Sequence, residues 1–145
     1  MAGLTILIFV ADSEIRESLR AAFAVDRSFA SCREAENALQ ALREAEQAHP
    51  SLVILDLATS LENTLQLAQC LRQIVPRIPI FMLTNQYDCM AEKRALSSGI
   101  TAMFSEREDP RAVLANARAV CDVEFGEHVA HAFAVGLSSS VFSLP

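Results

Sequence analysis

Short runs of consecutive apolar residues alternate along this chain with longer segments in which apolar residues recur at helical spacing. Each short run is a candidate for a strand buried on both faces, because such strands read as continuous apolar, β-branched stretches. The predicted strands lie at residues 4–10, 28–33, 51–60, 78–84 and 100–105. The predicted amphipathic helices lie at residues 13–25, 35–49, 61–75, 88–98 and 109–123.

Several of the predicted helix ends carry local signals. Asp12 or Ser13 can cap the first helix, and Pro110 suits the first position of the last one. Gly99 stands where a left-handed C-terminal cap is expected. In the second helix, the predicted inward-facing stripe comprises Ala38, Leu39, Leu42 and Ala45.

Five strands that alternate with five helices through short connections predict an α/β domain, with a parallel sheet covered by helices on both faces. This predicted domain spans residues 1–123. The segment 124–145 is apolar but contains glycine and a run of serines, and it falls outside the alternation. For this segment a docked tail, a dimer contact and a disordered end are all open interpretations.

Composition and charge narrow the class of protein. The chain has 145 residues, 52% of them apolar, which suits one domain with its own core and argues against disorder. Its formal net charge of −6 argues against DNA or RNA as a direct partner, because phosphate binding needs a basic face. The first apolar run meets Asp12 too soon for a signal peptide or a membrane span, so we expect a cytoplasmic protein without a membrane partner.

The side chains that could carry chemistry are few. Cys32, Cys70, Cys89 and Cys121 are scattered without a CxxC pair, which is typical of reduced core thiols in a cytosolic protein. A Ser/His/Asp triad, a P-loop and a GxGxxG motif are absent from the sequence, so we do not expect an enzyme.

One carboxylate, Asp56, ends the strongest apolar run, SLVILDLATS. In an open parallel sheet, ligands and chemistry collect beyond the carboxyl ends of such strands. Aspartate also opens turns for local hydrogen-bonding reasons. From its position alone, Asp56 is therefore either a functional residue or a loop-starting one.

The order and spacing of these segments resemble the receiver domain of two-component response regulators, the CheY-like family. The resemblance covers about residues 4–123 and is carried by TILIFVADSEIRESLR, SLVILDL, PRIPIFMLTN, ALSSGITAMF and DPRAVL. It implies a flavodoxin-like, doubly wound, five-stranded parallel sheet of order 2-1-3-4-5 with five helices.

The resemblance also implies roles for individual residues. In the family, the aspartate that ends the third strand accepts a phosphoryl group from a histidine kinase, and Asp56 occupies that position. The hydroxyl residue that ends the fourth strand and reports the phosphoryl group falls on Thr84. The aromatic residue that rotates on activation falls on Met103, which we expect to pack in the core.

Other family positions are not kept. The acidic pair that helps to hold Mg²⁺ falls on Val10 and Ala11, so that Asp12 and Asp56 are the only candidate metal ligands. The family lysine at the end of the fifth strand falls on Glu106. Replacing a lysine by a glutamate turns its attraction to a neighbouring negative charge into a repulsion. At about 4 Å and an effective dielectric of about 20, one such charge pair is on the order of 4 kcal/mol.

Two arrangements of Glu106 are open. It could pair on the surface with Lys93 or Arg107, where ion pairs contribute little to stability. If it points at Asp56 instead, the two carboxylates would raise a pKa.

We therefore predict a degenerate receiver, or pseudo-receiver, that has lost conventional phosphorylation and needs no cofactor. Its expected role is a docking module that binds a kinase or effector through roughly residues 88–123, with a homodimer as a further possibility. The alternative is a working phosphoacceptor that uses Asp56 with Mg²⁺ at an unusual site. A ligand-binding flavodoxin-like domain is the weakest prediction, because the loops offer no Gly/Ser/Thr-rich phosphate cradle.

Overall fold

The computed structural model describes residues 3–57 and 60–121, which form one sheet of five parallel strands in the order β2-β1-β3-β4-β5. The strands are β1 (Leu4–Phe9), β2 (Phe29–Glu34), β3 (Leu52–Asp56), β4 (Ile80–Thr84) and β5 (Ala102–Ser105). The helices are α1 (Ser13–Ala24), α2 (Ala38–Ala48), α3 (Leu61–Ile74), α4 (Cys89–Ser97) and α5 (Pro110–Cys121). The predicted fold class and strand order are confirmed. The segment 124–145 lies outside the described residues.

The sheet divides the core into two layers, because successive side chains of a strand point to opposite faces. In β1, Leu7 belongs to the layer covered by α2, α3 and α4, whereas Ile6 and Ile8 belong to the layer covered by α1 and α5. All five residues of β4 are buried, as expected for a central parallel strand. Because β1, β3 and β4 pair in parallel, their carboxyl ends lie next to one another at one edge of the sheet.

The helix ends follow the local signals in the sequence. Asp12, not Ser13, is the N-cap of α1, and Pro110 is the first residue of α5. Gly99 follows α4 with φ +103°, the left-handed conformation that was predicted for it. A side chain there would be strained by this backbone and would also meet the guanidinium of Arg72.

The predicted inward stripe of α2 is wrong at two positions, because Ala38 and Leu39 are both exposed. Leu39 is 58% exposed, whereas Ala41 and Ala45 are fully buried. At 3.6 residues per turn, position 39 lies about 120° around the helix from position 45, and position 41 lies only about 40° away. The prediction placed the large Leu39 inside, whereas the smaller Ala41 lies closer to the buried face of the helix.

The predicted core environment of the cysteines is wrong for two of them. Cys70 and Cys89 are exposed, whereas Cys32 and Cys121 are partly buried and pack against the core layer beneath α1 and α5. Cys70 lies on the outer part of α3 and Cys89 is the first residue of α4. Within the described part of the chain, no helix is long and apolar enough to cross a membrane.

Candidate functional site

Asp56 is the last residue of β3 and lies at the edge where the carboxyl ends of the central strands meet. The parallel register places Leu55 beside Phe9 of β1 and Asp56 beside Leu83 of β4. The side chain of Asp56 is half-buried, and its Oδ2 accepts a hydrogen bond of 2.8 Å from the backbone N–H of Ala11. The β1–α1 loop therefore contacts the carboxylate through a backbone N–H and not through an acidic side chain.

The environment of Asp56 shifts its pKa upward. Burial is the largest cause, since removing a carboxylate from water disfavours its charged form. The N–H groups of Ala11 and of Asp56 itself act in the opposite direction, and the charge of Asp12 adds to the rise. No cation within the described residues forms an ion pair with Asp56.

Asp12 caps a helix. Its Oδ1 accepts hydrogen bonds from the backbone N–H groups of Glu14 at 2.8 Å and Ile15 at 3.2 Å, which are unsatisfied donors at the start of α1. The sequence left open whether Asp12 could reach a metal site. In the structure its Oδ1 is engaged at the helix end.

The magnesium set implied by the family does not fit these residues. Val10 is 1% exposed in the core, and neither it nor Ala11 has a side-chain oxygen. Magnesium requires near-octahedral oxygen ligands at short distances, one or two of which proteins usually supply as carboxylates. Across residues 3–57 and 60–121, no group of three or more His, Cys, Asp or Glu side chains could hold a metal ion.

Thr84, at the switch position, uses its hydroxyl within its own loop. Its Oγ1 donates to the carbonyl of Gln86 at 2.9 Å and accepts from the N–H of the same residue at 3.2 Å. The side chain is 4% exposed. Thr84 therefore closes the turn that follows β4, and no hydrogen bond joins it to Asp56 in the described structure.

Glu106, at the family lysine position, lines a cavity on the α1 and α5 side of the sheet. We call this space, of about 230 Å³, the Glu106 cavity; it is lined by Glu14, Ile15, Ser18, Leu19, Leu83, Ser105, Glu106, Glu108, Pro110 and Val113. The backbone N–H of Glu106 donates to the carbonyl of Thr84 at 2.9 Å. Among the ion pairs of the described residues, Glu106 pairs with neither Lys93 nor Arg107. The rise in the pKa of Asp56 comes from burial and from Asp12, and not from Glu106.

Met103, at the position of the rotating aromatic, is 4% exposed in the layer beneath α3 and α4. Its neighbour across the sheet is Met82 of β4. Its thioether is a packed part of the core.

A second cavity, which was not predicted from the sequence, lies beside Asp56 on the opposite face of the sheet from α1 and α5. We call this space, of about 510 Å³, the Asp56 cavity; it is lined by Phe9, Ala38, Leu42, Leu55, Asp56, Asn63, Thr64, Gln66, Leu67 and Cys70. Its walls come from β1, β3, α2 and α3. The helical spacing of 63, 66, 67 and 70 indicates one face of α3, but the gap between two helices leaves no signal in a sequence.

A hydrogen bond between the exposed Tyr87 and the buried Glu92, near the start of α4, was also not predicted. Tyr87 donates its hydroxyl to Oε1 of Glu92 at 2.7 Å, and this contact raises the pKa of Tyr87 to about 12. Glu92 is 1% exposed, and its Oε2 has no hydrogen-bond partner within the described structure. The two residues approach because Asp88, between them, caps α4 and turns the chain.

The strand order of this sheet reverses between β1 and β3, and in open α/β sheets such a point is where ligands and chemistry are found. A flavodoxin-like domain with an aspartate at that point is the class that the fold and the site define. The profile of the response regulator receiver domain matches residues 6–118, and the chain belongs to this family. No curated protein matches the chain.

Solved structures share the fold at low sequence identity. The chemotaxis protein CheY4 of Vibrio cholerae is 19% identical, with 82% of this chain and 99% of that chain covered and a TM-score of 0.71. A CheY-like receiver domain from Methanospirillum hungatei is 19% identical, covers 83% and 95% of the two chains, and has a TM-score of 0.72. The pilus assembly protein CpaE of Caulobacter crescentus is 21% identical, covers 77% and 94%, and has a TM-score of 0.62.

Proposed function

We propose that this receiver domain is a docking module of two-component signalling that works without conventional phosphorylation and is not an enzyme. The observation that carries the proposal is the loss of positive charge around Asp56. In place of a magnesium site and a lysine, the carboxylate has the backbone N–H groups of Ala11 and of Asp56 itself, and the nearby charge of Asp12.

Electrostatics explain why this loss matters. Phosphoryl transfer depends on positioning and on stabilising the negative charge that spreads over the equatorial oxygens. A phosphoryl group on Asp56 would add negative charge beside Asp12, and none of the described residues that line the Asp56 cavity is basic. Each loss of about 1.4 kcal/mol of stabilisation slows the transfer about tenfold.

The start of α4 supports a docking role for roughly residues 88–123. Met90 is 73% exposed and Tyr87 is 42% exposed, so two large apolar side chains stand in water on the first turn of α4 and the loop before it. The hydrogen bond from Tyr87 to Glu92 fixes the loop against the helix. A preformed apolar surface of this kind suits a kinase or effector, or a second copy of the chain.

The proposal places the protein in the cytoplasm, where kinases and effectors meet receiver domains, and gives it no nucleic-acid partner. The acidic balance of the chain supports the second point. Because CpaE, named for pilus assembly, shares the fold, the fold does not decide the output.

A titration with Mg²⁺ and beryllofluoride, a phosphoryl mimic, tests the loss of phosphorylation. We expect the backbone amide NMR signals of Asp56, Thr84 and Met103 to stay unchanged at millimolar Mg²⁺. Saturable shifts that disappear in Asp56→Asn would contradict the proposal. They would make the protein a working phosphoacceptor with an unusual metal site.

The docking surface is tested by a photo-crosslinking side chain placed at Met90, with the same side chain at Val25 as the control. Both positions are exposed, at 73% and 81%, but Val25 ends α1 on another part of the surface. We expect a defined cross-link from position 90 only, of equal yield in the Asp56→Asn background. Equal cross-linking from both positions would contradict a docking surface at α4.

A further inference from the structure

The Asp56 cavity has the size and the chemistry of a small-molecule site. Its volume of about 510 Å³ lies within the range of roughly 300–1,000 Å³ that is typical of ligand pockets. Phe9, Leu42, Leu55 and Leu67 supply apolar walls, and Asn63 and Gln66 supply amides at the rim.

Among the described residues that line this cavity, Asp56 is the one with a charge. It is half-buried, its bond to the N–H of Ala11 occupies Oδ2 alone, and no cation of the described chain pairs with it. Burial of a carboxylate without a cation is unfavourable, so a positively charged donor that enters the cavity gains a charge-assisted hydrogen bond.

The other lining residues decide against a metal ion as the occupant. The hydroxyl of Thr64 is engaged within α3, since it donates to the carbonyl of Ser60 at 3.0 Å. The remaining walls are largely apolar, and these favour an organic body over a hydrated ion.

We propose that the Asp56 cavity binds a small organic amine, whose apolar body packs against Leu42 and Leu67 and whose protonated nitrogen meets the carboxylate of Asp56. This site requires neither phosphorylation nor a docking partner, so its test is independent of the function proposed above. A bound amine would place positive charge where the family places a metal ion and a lysine.

Phenethylamine is a suitable probe, with 2-phenylethanol and 3-phenylpropionate as its neutral and anionic counterparts. We expect saturable shifts of the backbone amides of Leu42, Asn63 and Leu67 in the full chain, with affinity in the order amine, alcohol, carboxylate. In Asp56→Asn, which keeps an oxygen for the N–H of Ala11, the affinity for the amine should fall about tenfold or more.

A variant that closes the cavity gives a second, independent test. Ala38 lies exposed at the rim, so Ala38→Phe should occlude the cavity without disturbing the core and lower the affinity for the amine about tenfold. Leu39→Phe, at the next position but outside the lining, should leave the affinity unchanged. Thermal unfolding confirms that each variant is folded.

Three results would overturn the proposal. They are the absence of saturation at tens of millimolar amine, equal affinities for the amine and the carboxylate, and equal effects of the substitutions at positions 38 and 39.

Discussion

The two cavities at the carboxyl edge of this sheet hold the two halves of what is a single centre in a typical receiver. The Asp56 cavity lies between α2 and α3 and is largely apolar, with one carboxylate. The Glu106 cavity lies between α1 and the start of α5 and includes Glu14, Glu106 and Glu108. Neither cavity is lined by both Asp56 and Glu106. The difference teaches that the receiver fold is present here although Asp56 and Glu106 line different cavities.

The largest expected effect comes from returning an acid to position 10. Val10 is 1% exposed beneath α1, so Val10→Asp buries an unpaired charge and should lower the free energy of unfolding by about 3 kcal/mol. Ala11→Asp is the matched control, because position 11 is exposed and should tolerate the change within about 0.5 kcal/mol. Urea unfolding measures both variants, and equal losses would show that the loop accepts an acid at either position.

The next effect tests whether side chains at positions 11 and 106 can act together with Asp56 in binding a phosphoryl mimic. The double variant Ala11→Asp with Glu106→Lys supplies one acid and one cation, and each should contribute about tenfold to the affinity for beryllofluoride with Mg²⁺. We expect the double variant to bind the mimic about a hundredfold more tightly than the unmodified chain. If Glu106→Lys alone gave the full gain, the two cavities would not be separate in the way described.

A smaller effect concerns the cost of holding Asp56 charged. Because burial raises its pKa above the ordinary value of 3.8, the folded state binds a proton more readily than the unfolded state. The destabilisation is therefore present at neutral pH and is lost as the pH falls through the raised pKa toward 3.8. We expect Asp56→Asn to be the more stable protein at pH 7.

The measurement is the difference in free energy of unfolding between the two proteins as a function of pH. The advantage of Asp56→Asn should shrink on acidification, because the native carboxyl becomes protonated. A difference that is constant from neutral to acidic pH would contradict the assignment of the shift to burial.

The smallest effect concerns Glu92 of α4. Its hydrogen bond raises the pKa of Tyr87 to about 12, and Glu92→Gln should return that pKa toward the ordinary 10.0 because the charge is removed. The chain has one tyrosine and no tryptophan, so an absorbance titration reads this group without interference. Glu62→Gln is a control on α3 and should leave the tyrosine titration unchanged.

The strands were predictable because β1, β3 and β4 are continuous apolar runs, and a run buried on both faces has few other interpretations. The strand order was predictable only through the resemblance to receiver domains. The position of Asp56 followed from the end of one such run. The caps at Asp12 and Gly99 were predictable for a similar reason, since each depends on a few neighbouring residues.

What the sequence did not reveal depends on packing between distant segments. Leu39 was placed inside on its size, although the helical rotation turns it outward. The N–H of Ala11 that contacts Asp56 is a backbone group, which every residue other than proline has, and so leaves no signal. The two cavities and the contact of Tyr87 with Glu92 arise from the spacing between elements, which apolar patterns do not specify.

The most direct test of the central claim is the mass of the intact protein after incubation with phosphoramidate and Mg²⁺. Phosphoramidate transfers its phosphoryl group to a receiver aspartate without a kinase, so the result depends only on the site. We predict no covalent phosphoryl group on the unmodified chain under conditions where the double variant at positions 11 and 106 is labelled. A mass increase of one phosphoryl group that disappears in Asp56→Asn would contradict the account, and Asp56 would be a working phosphoacceptor.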